Sequence, residues 1–201
     1  MANTNRPAGF VPRKYLNGAP WNGQARLYSI AASYGTALYI GDPVISSGTA
    51  DANGIPGIAL GAGSGALRGV IVGLGKSRTA MVNPSNLDIT YRPASDPSVW
   101  YAMVVDDPNV LFEIQEESNG TALAATEIGL NQISLLGAGN GFVSGWQVRS
   151  ATGATPATTA TLQLRLMGLV QRPGNEFGAY AKHLVQINVH ELAHGTGAAG
   201  V

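Results

Sequence analysis

The chain contains no cysteine. A disulfide framework and a thiol nucleophile are therefore excluded, and cysteine usage does not indicate a redox compartment. The sequence also lacks an apolar run of membrane-spanning length, and its polar, proline-bearing start does not resemble a signal peptide. From these features we expect a soluble protein that stays where it is made and has no membrane partner.

Charged residues are scarce, at 12% of a 201-residue chain, which is about half of the roughly 25% found in typical domains. The hydrophobic share of 45% is large enough for a core, and one all-β domain of this length is ordinary. A monomer of this size usually stays soluble through a surface of mixed charge. The low charge therefore predicts that partners cover much of the surface.

The sequence has no excess of either charge, because 12 basic residues balance 12 acidic ones. No global field is available to attract nucleic acid, so we expect no nucleic-acid partner. The distribution is nevertheless uneven, since residues 1–41 contain Arg6, Arg13, Lys14 and Arg26 but no acidic residue. The beginning of the chain is thus a basic segment.

Most of the sequence is a succession of short strand candidates separated by Gly, Pro, Asp and Asn. This spacing predicts an all-β protein: a single β-sandwich, jelly-roll or barrel-like domain, with at most one or two short helical turns. One such turn is expected at 122–130. Late in the chain, Leu162, Leu164 and Leu166 alternate with polar residues, as do His183, Val185, Ile187 and Val189. We expect a domain over 26–190, an extended arm over 1–25 and a flexible tail over 191–201.

The stretch from 98 to 117 reads SVWYAMVVDDPNVLFEIQEE and has the strongest strand pattern in the chain. Residues 99–105 are almost continuously apolar, and residues 110–115 alternate. Asp106-Asp107-Pro108-Asn109 between them is typical of a type I turn. The pattern predicts a hairpin with a covered first strand and a half-exposed second strand. We interpret Glu113, Glu116 and Glu117 as a solvated edge.

Residues 1–24 show no periodicity, and Pro7, Pro12 and Pro20 oppose both helix and strand pairing. The same segment contains apolar and aromatic residues that are unusual in a free tail, among them Phe10, Tyr15 and Trp21. Two arrangements fit this composition. The segment is either an extended arm that lies over another molecule or a terminus packed on its own domain.

His190-Glu191-Leu192-Ala193-His194 matches the HExxH pattern, which on a helix places two imidazoles on one face for zinc, with the glutamate as general base. The extended form of that motif needs a third histidine where Gly200 stands, and few residues follow His194. The preceding residues also alternate as a strand. We therefore expect no metal site, cofactor or catalytic residue here, and keep a zinc metallopeptidase as the weaker alternative.

Several segments spread along the chain are similar to one protein family. They comprise Asn5-Arg6-Pro7 with Gly9-Phe10, PWNGQ at 20–24, GTALYIGDPV at 35–44, YRPAS at 91–95, VVDDPNVLFEIQEES at 104–118, TATLQLRLMGLVQRPGNEFG at 159–178, and AK with LVQIN at 181–188. In these segments the chain resembles the capsid cement or decoration proteins of tailed bacteriophages, which accompany an HK97-type major capsid protein.

The resemblance implies a non-enzymatic virion protein that is made in the host cytoplasm and binds the outer capsid surface as a dimer or trimer. It would bridge neighbouring capsomers of the major capsid protein. Because aromatic residues and arginine dominate interface energetics, we expect the contact to be made by residues of the basic segment: Arg6, Phe10, Arg13, Lys14, Tyr15 and Trp21. Deletion of residues 1–24 should then abolish capsid binding and leave a folded domain. A tail or baseplate component remains the main alternative.

Overall fold

The computed structural model describes residues 3–79, 89–150, 155–193 and 197–201. No helix of seven residues or more occurs in these ranges, so the all-β prediction is confirmed. A 3₁₀ turn at Ala125–Glu127 lies inside the helical turn predicted at 122–130. None of the described helical segments has the length and apolar character that a membrane span requires.

Fourteen strands are present in the described ranges. They are β1 (Val11–Tyr15), β2 (Arg26–Ile30), β3 (Leu38–Tyr39), β4 (Pro43–Ala50), β5 (Pro56–Leu60), β6 (Gly69–Gly75), β7 (Tyr91–Arg92), β8 (Trp100–Val105), β9 (Val110–Gln115), β10 (Asn131–Gln132), β11 (Ser134–Leu135), β12 (Gln147–Val148), β13 (Leu164–Leu169) and β14 (Lys182–Ile187). Two two-stranded sheets, β3-β7 and β11-β12, accompany the two main structures.

The first main structure is a closed barrel with the strand order β2-β5-β4-β6-β8. Its neighbours pair antiparallel except β2 and β5, which run parallel. Alternate residues of these strands fill the interior with apolar side chains, including Ile30, Val44, Ile71 and Trp100. The closed barrel agrees with the barrel-like domain that was one of the predicted architectures.

The second main structure is an antiparallel sheet with the order β1-β9-β14-β13-β10. Its inner face packs against the barrel wall in a second core that contains Phe112, Leu166 and Val185 from the sheet and Val70 and Val105 from the barrel. The predicted alternation is confirmed for Leu164, Leu166, His183, Val185 and Ile187, which are all buried, but not at its ends, since Leu162 and Val189 are partly exposed.

The hairpin predicted over residues 98–117 is wrong. The turn forms, with the Val110 amide donating to the Asp107 carbonyl at 3.1 Å and the Asn109 amide donating to the Asp107 carboxylate at 2.8 Å. The flanking strands then separate: β8 pairs with β2 and β6 in the barrel, and β9 pairs with β1 and β14 in the sheet. The chain therefore crosses from one structure to the other at Pro108.

The prediction of a half-exposed second strand is also wrong, since all six residues of β9 are buried. The three carboxylates interpreted as a solvated edge, Glu113, Glu116 and Glu117, are each less than 10% exposed. Each has a polar partner instead of water. Residues from the N-terminal segment and from the loop before β14 cover the outer side of β9, and local alternation does not reveal such a cover.

The N-terminal segment packs on its own domain, which was one of the two arrangements left open. Phe10 is 1% exposed and meets Phe112 edge-to-face, with 6.1 Å between ring centroids. The expectation that Pro12 prevents pairing is wrong, because β1 pairs with β9 at the edge of the sheet, with a register shift between Pro12 and Lys14. An edge strand can include proline because its outer side need not donate to a neighbour.

The flexible tail expected over 191–201 is not what the described residues show. The amide of Glu191 donates to the Leu67 carbonyl at 2.9 Å, so the chain stays attached to the barrel just beyond β14. Residues 197–201 return to the domain, where the amides of Gly200 and Val201 donate to the carbonyls of Thr158 and Gly129 at 3.0 and 3.2 Å. Both stretches belong to the folded domain.

Candidate partner-binding surface

The described part of the HExxH pattern does not lie on a helix. His190 forms a parallel bridge with Leu67, and a turn follows it. The Leu192 amide donates to His190 Nδ1 at 3.0 Å, so this nitrogen is occupied as an acceptor. Burial lowers the pKa of His190 to about 4 and keeps the ring neutral. His194 lies outside the described residues.

The glutamate of the pattern has a structural partner. Glu191 forms an ion pair with Arg68 at 2.8 Å, and its carboxylate accepts a hydrogen bond from the Ser46 amide at 2.9 Å. These contacts join the end of β14 to the barrel. No group of three or more potential metal ligands occurs in the described ranges. The geometry of the described residues therefore gives Glu191 a role in attaching the end of β14 to the barrel.

Five of the six predicted contact residues, all except Phe10, are at least partly exposed on β1 or next to it. Phe10 belongs to the domain core, so its predicted role in binding a partner is corrected. Residues 16–21 fold back along the free side of β1, where the Tyr15 amide donates to the Ala19 carbonyl at 2.8 Å and the Trp21 amide donates to the Arg13 carbonyl at 3.0 Å.

Side chains hold the same strip in place. Tyr15 Oη donates to Asn22 Oδ1 at 2.9 Å, and Trp21 Nε1 donates to the Gln24 carbonyl at 3.2 Å. Leu16, which the site prediction did not include, is 43% exposed at the tip of the turn. We call the surface formed by Arg13, Lys14, Tyr15, Leu16 and Trp21 the β1 edge. It is an ordered strip with both aromatic and basic side chains.

Next to the β1 edge, the outer side of β9 presents one carboxylate that two arginines share. Arg13 approaches Glu113 Oε2 through Nε at 2.9 Å and Nη2 at 2.8 Å, and Arg172 Nη1 lies 3.1 Å from Oε1. The glutamate side chain is 8% exposed, whereas the Arg13 and Arg172 side chains are 48% and 43% exposed. The buried carboxylate therefore holds both guanidinium groups in place, and the sides of these groups that face away from Glu113 are open to solvent.

Lys182 extends this surface along β14. It lies opposite Gln115 in the pairing of β14 with β9, and its Nζ donates to Gln115 Oε1 at 2.8 Å and to the Arg6 carbonyl at 2.5 Å. Burial lowers the pKa of Lys182 to about 8, and nearby Arg172 acts in the same direction against the attraction of Glu113. Gln115 also accepts from the Arg6 amide at 2.8 Å, which fixes the N-terminal segment.

We call the outer side of the sheet that carries Arg13, Arg172 and Lys182 near Glu113, together with Lys14 and with Arg6, whose main chain contacts Gln115 and Lys182, the basic face. Lys14 belongs to it because its register partner, Leu111, lies on the same side of β9 as Glu113. Arg6, Arg13 and Lys14 were predicted from the basic start of the chain. Arg172 and Lys182 were not, although the alternation that turns His183 inward also turns Lys182 outward.

A separate apolar region lies beside the barrel. The loop after β11 exposes Leu136 and Phe142 by 55% and 68%, and a cavity of about 410 Å³ opens between this loop, Tyr39 and Trp146. Asp42 lines the cavity, and burial raises its pKa to about 6 in spite of hydrogen bonds from the Tyr39 amide and the Ser144 hydroxyl. The structure thus also exposes large apolar side chains that do not belong to the β1 edge.

The chain matches no protein-family model, no curated protein and no solved structure. The fold and surface themselves define an all-β protein in which a closed barrel carries a five-stranded sheet with a basic outer face.

Proposed function

We propose that this protein is a capsid cement protein: a structural virion component that binds the outer surface of a phage capsid as a dimer or trimer and bridges neighbouring capsomers. The resemblance of its segments to that family names the partner, the major capsid protein. The structural observation that supports docking is the β1 edge. A ligand that binds only the assembled shell stabilises it by mass action, so no catalytic step is needed.

The β1 edge suits this role because its side chains are ordered before binding. Hydrogen bonds of the main chain and of Tyr15 and Trp21 hold the strip against the domain. Ordering flexible side chains at an interface costs about 0.5–1.5 kcal/mol each, and a fixed surface avoids part of that cost. Tyrosine, tryptophan and arginine are also the residues most often found to dominate interface energetics.

Co-sedimentation with emptied, expanded heads tests the proposal. We expect saturable binding of the wild-type protein and at least tenfold weaker binding of a Leu16→Asp, Trp21→Ala variant. Phe142→Ala is the matched control, since Phe142 is highly exposed but lies in the loop beside the barrel. Thermal unfolding of each variant confirms that the domain remains folded.

Three results would contradict the proposal. Absence of the wild-type protein from heads at saturating concentration would exclude capsid binding, and recovery in tail fractions would favour a tail or baseplate component. One zinc ion per chain, with a peptidase activity lost in Glu191→Ala, would instead support the metallopeptidase. Equal head occupancy by wild type and the β1-edge variant would place the docking surface elsewhere.

A further inference from the structure

We infer that the basic face is a receptor for side-chain carboxylates, so that the partner presents an acidic patch to this side of the sheet. The inference rests on the proposed function for the identity of the partner. Beyond the proposed function, it specifies the chemistry of the contact and adds Arg172 and Lys182 to the binding residues. Both lie far from the N-terminal segment in sequence.

The basic side chains of the barrel and those of the basic face differ in how many acidic partners they have. On and beside the barrel, Arg26 pairs with Asp106 at 3.4 Å, Arg68 with Glu191 at 2.8 Å and Lys76 with Asp96 at 3.2 Å. On the basic face, two arginines share one carboxylate, that of Glu113, and Lys182 donates to two uncharged oxygens.

The cations are also positioned to accept a ligand from outside. A guanidinium has five N–H donors and an ammonium has three. Arg13 directs Nε and Nη2 at Glu113, Arg172 directs Nη1 at it, and Lys182 donates to two neutral oxygens. The remaining donors belong to half-exposed groups whose position Glu113 and Gln115 already fix. Planar guanidinium groups held in this way suit the two oxygens of a carboxylate.

Phosphate oxygens have similar hydrogen-bonding chemistry, but the extent of the face favours carboxylates. Its register positions lie on β1, β9 and β14, which span about 10 Å because neighbouring strands are about 4.8 Å apart. A patch of this width matches a small cluster of acidic side chains. A nucleic-acid duplex is bound through a longer track of phosphates and benefits from a net positive protein, whereas this chain is neutral.

The test compares charge-neutralising variants on two sides of the molecule. Arg172→Gln, Lys182→Gln removes two cations of the basic face without substituting a residue of the N-terminal segment; thermal unfolding checks the loss of the Lys182 hydrogen bond to the Arg6 carbonyl. Arg26→Gln, Lys76→Gln removes two cations that each have an acidic partner. At 50 mM salt we expect the first variant to bind heads at least tenfold more weakly than wild type and the second to bind like wild type. The difference should shrink severalfold at 0.5 M salt, because screening weakens exposed charge pairs.

Direct probes separate this inference from the proposed function. A fluorescent polyglutamate of about 20 residues should bind the wild-type protein and bind the Arg172→Gln, Lys182→Gln variant at least fivefold more weakly, whether or not heads are bound. Equal binding of heads and polyglutamate by wild type and variant would overturn the inference while leaving capsid binding intact. Tighter binding of a 20-base-pair duplex than of polyglutamate, lost in the same variant, would overturn it in favour of nucleic acid.

Discussion

His183 Nε2 lies 2.9 Å from Glu116 Oε2, and neither side chain has any exposed surface. The other carboxylate oxygen of Glu116 accepts a hydrogen bond from the Leu123 amide at 2.8 Å. The pair joins the end of β9 to β14 and holds the loop that follows β9. Since neither group contacts solvent, His183 Nε2 and Glu116 Oε2 have no water to replace the hydrogen bond between them.

Removal of one member of this pair should destabilise the domain strongly. For Glu116→Ala we expect a loss of about 3–5 kcal/mol in the free energy of unfolding, because the change leaves His183 and the Leu123 amide unpaired inside the protein. Urea unfolding measures the effect, and Glu176→Ala, at an exposed position, is the control with a change within about 0.5 kcal/mol. A loss for Glu116→Ala no greater than the control's would refute the structural role.

Arg92 is the second buried charge that should control stability. It is 0% exposed, and its guanidinium donates to backbone carbonyls of the surrounding loops, among them those of Tyr34 and Pro93 at 2.9 Å. Arg92→Ala leaves these carbonyls without a donor, so we expect a loss of at least 3 kcal/mol. Arg92→Lys should fall between wild type and alanine, since an ammonium retains the charge but has fewer donors. An Arg92→Lys variant as stable as wild type in urea would show that the fork geometry is unimportant.

Phe10 connects the N-terminal segment to the stability of the whole domain. Phe10→Ala should cost about 3–5 kcal/mol, because it removes a buried ring that packs on Phe112. It follows that deletion of residues 1–24 removes β1 and destabilises the domain, contrary to the expectation that a folded domain would remain. Unfolding curves of Phe10→Ala and Phe10→Leu measure the effect. A truncated protein as stable as the full chain would contradict this assignment.

Asp42 should give the protein a recognisable pH dependence. Its pKa in the folded state is raised from 3.8 to about 6 by burial, so its stabilising contribution is complete below pH 3.8 and is lost as the pH rises through 6. Relative to Asp42→Asn, which cannot ionise, wild type should lose about 3 kcal/mol between pH 3.5 and 7, at about 1.4 kcal/mol per pKa unit. Parallel stability profiles of the two proteins, measured by urea unfolding, would show that Asp42 does not titrate in this range.

The local features of the fold could be predicted from the sequence, and the pairing of its strands could not. Alternation placed Leu164, Leu166 and Val185 on buried faces, because a period of two residues is a local property of a strand. The turn at Pro108 was equally local. Which strands become neighbours depends on contacts between distant segments, and β9 has its partners in β1 and β14, which explains why the hairpin prediction failed.

The candidate surface could be predicted only where its residues are neighbours in sequence. Arg13 and Tyr15 could be identified from the basic, aromatic composition of the N-terminal segment. Arg172 and Lys182 join them only because β14 lies beside β9, so composition gave no reason to group the four residues. Burial of Glu113 was missed because a glutamate on an alternating strand usually faces water, and its cover is supplied by the two arginines.

The N-terminal residues are held by the loop before β14 and by the start of β14. Asn3 donates to the carbonyls of Glu176 and Ala179, at 2.8 and 3.1 Å, and Lys182 donates to that of Arg6. On a ribosome, the N-terminal residues emerge first, yet their partners in β9 and β14 are made much later. Phe10 and β1 therefore remain unpaired until β9 has been made, and such non-local pairing favours slow folding. We expect the sheet to form only after β14 has been made, while the barrel, complete at residue 105, can fold earlier.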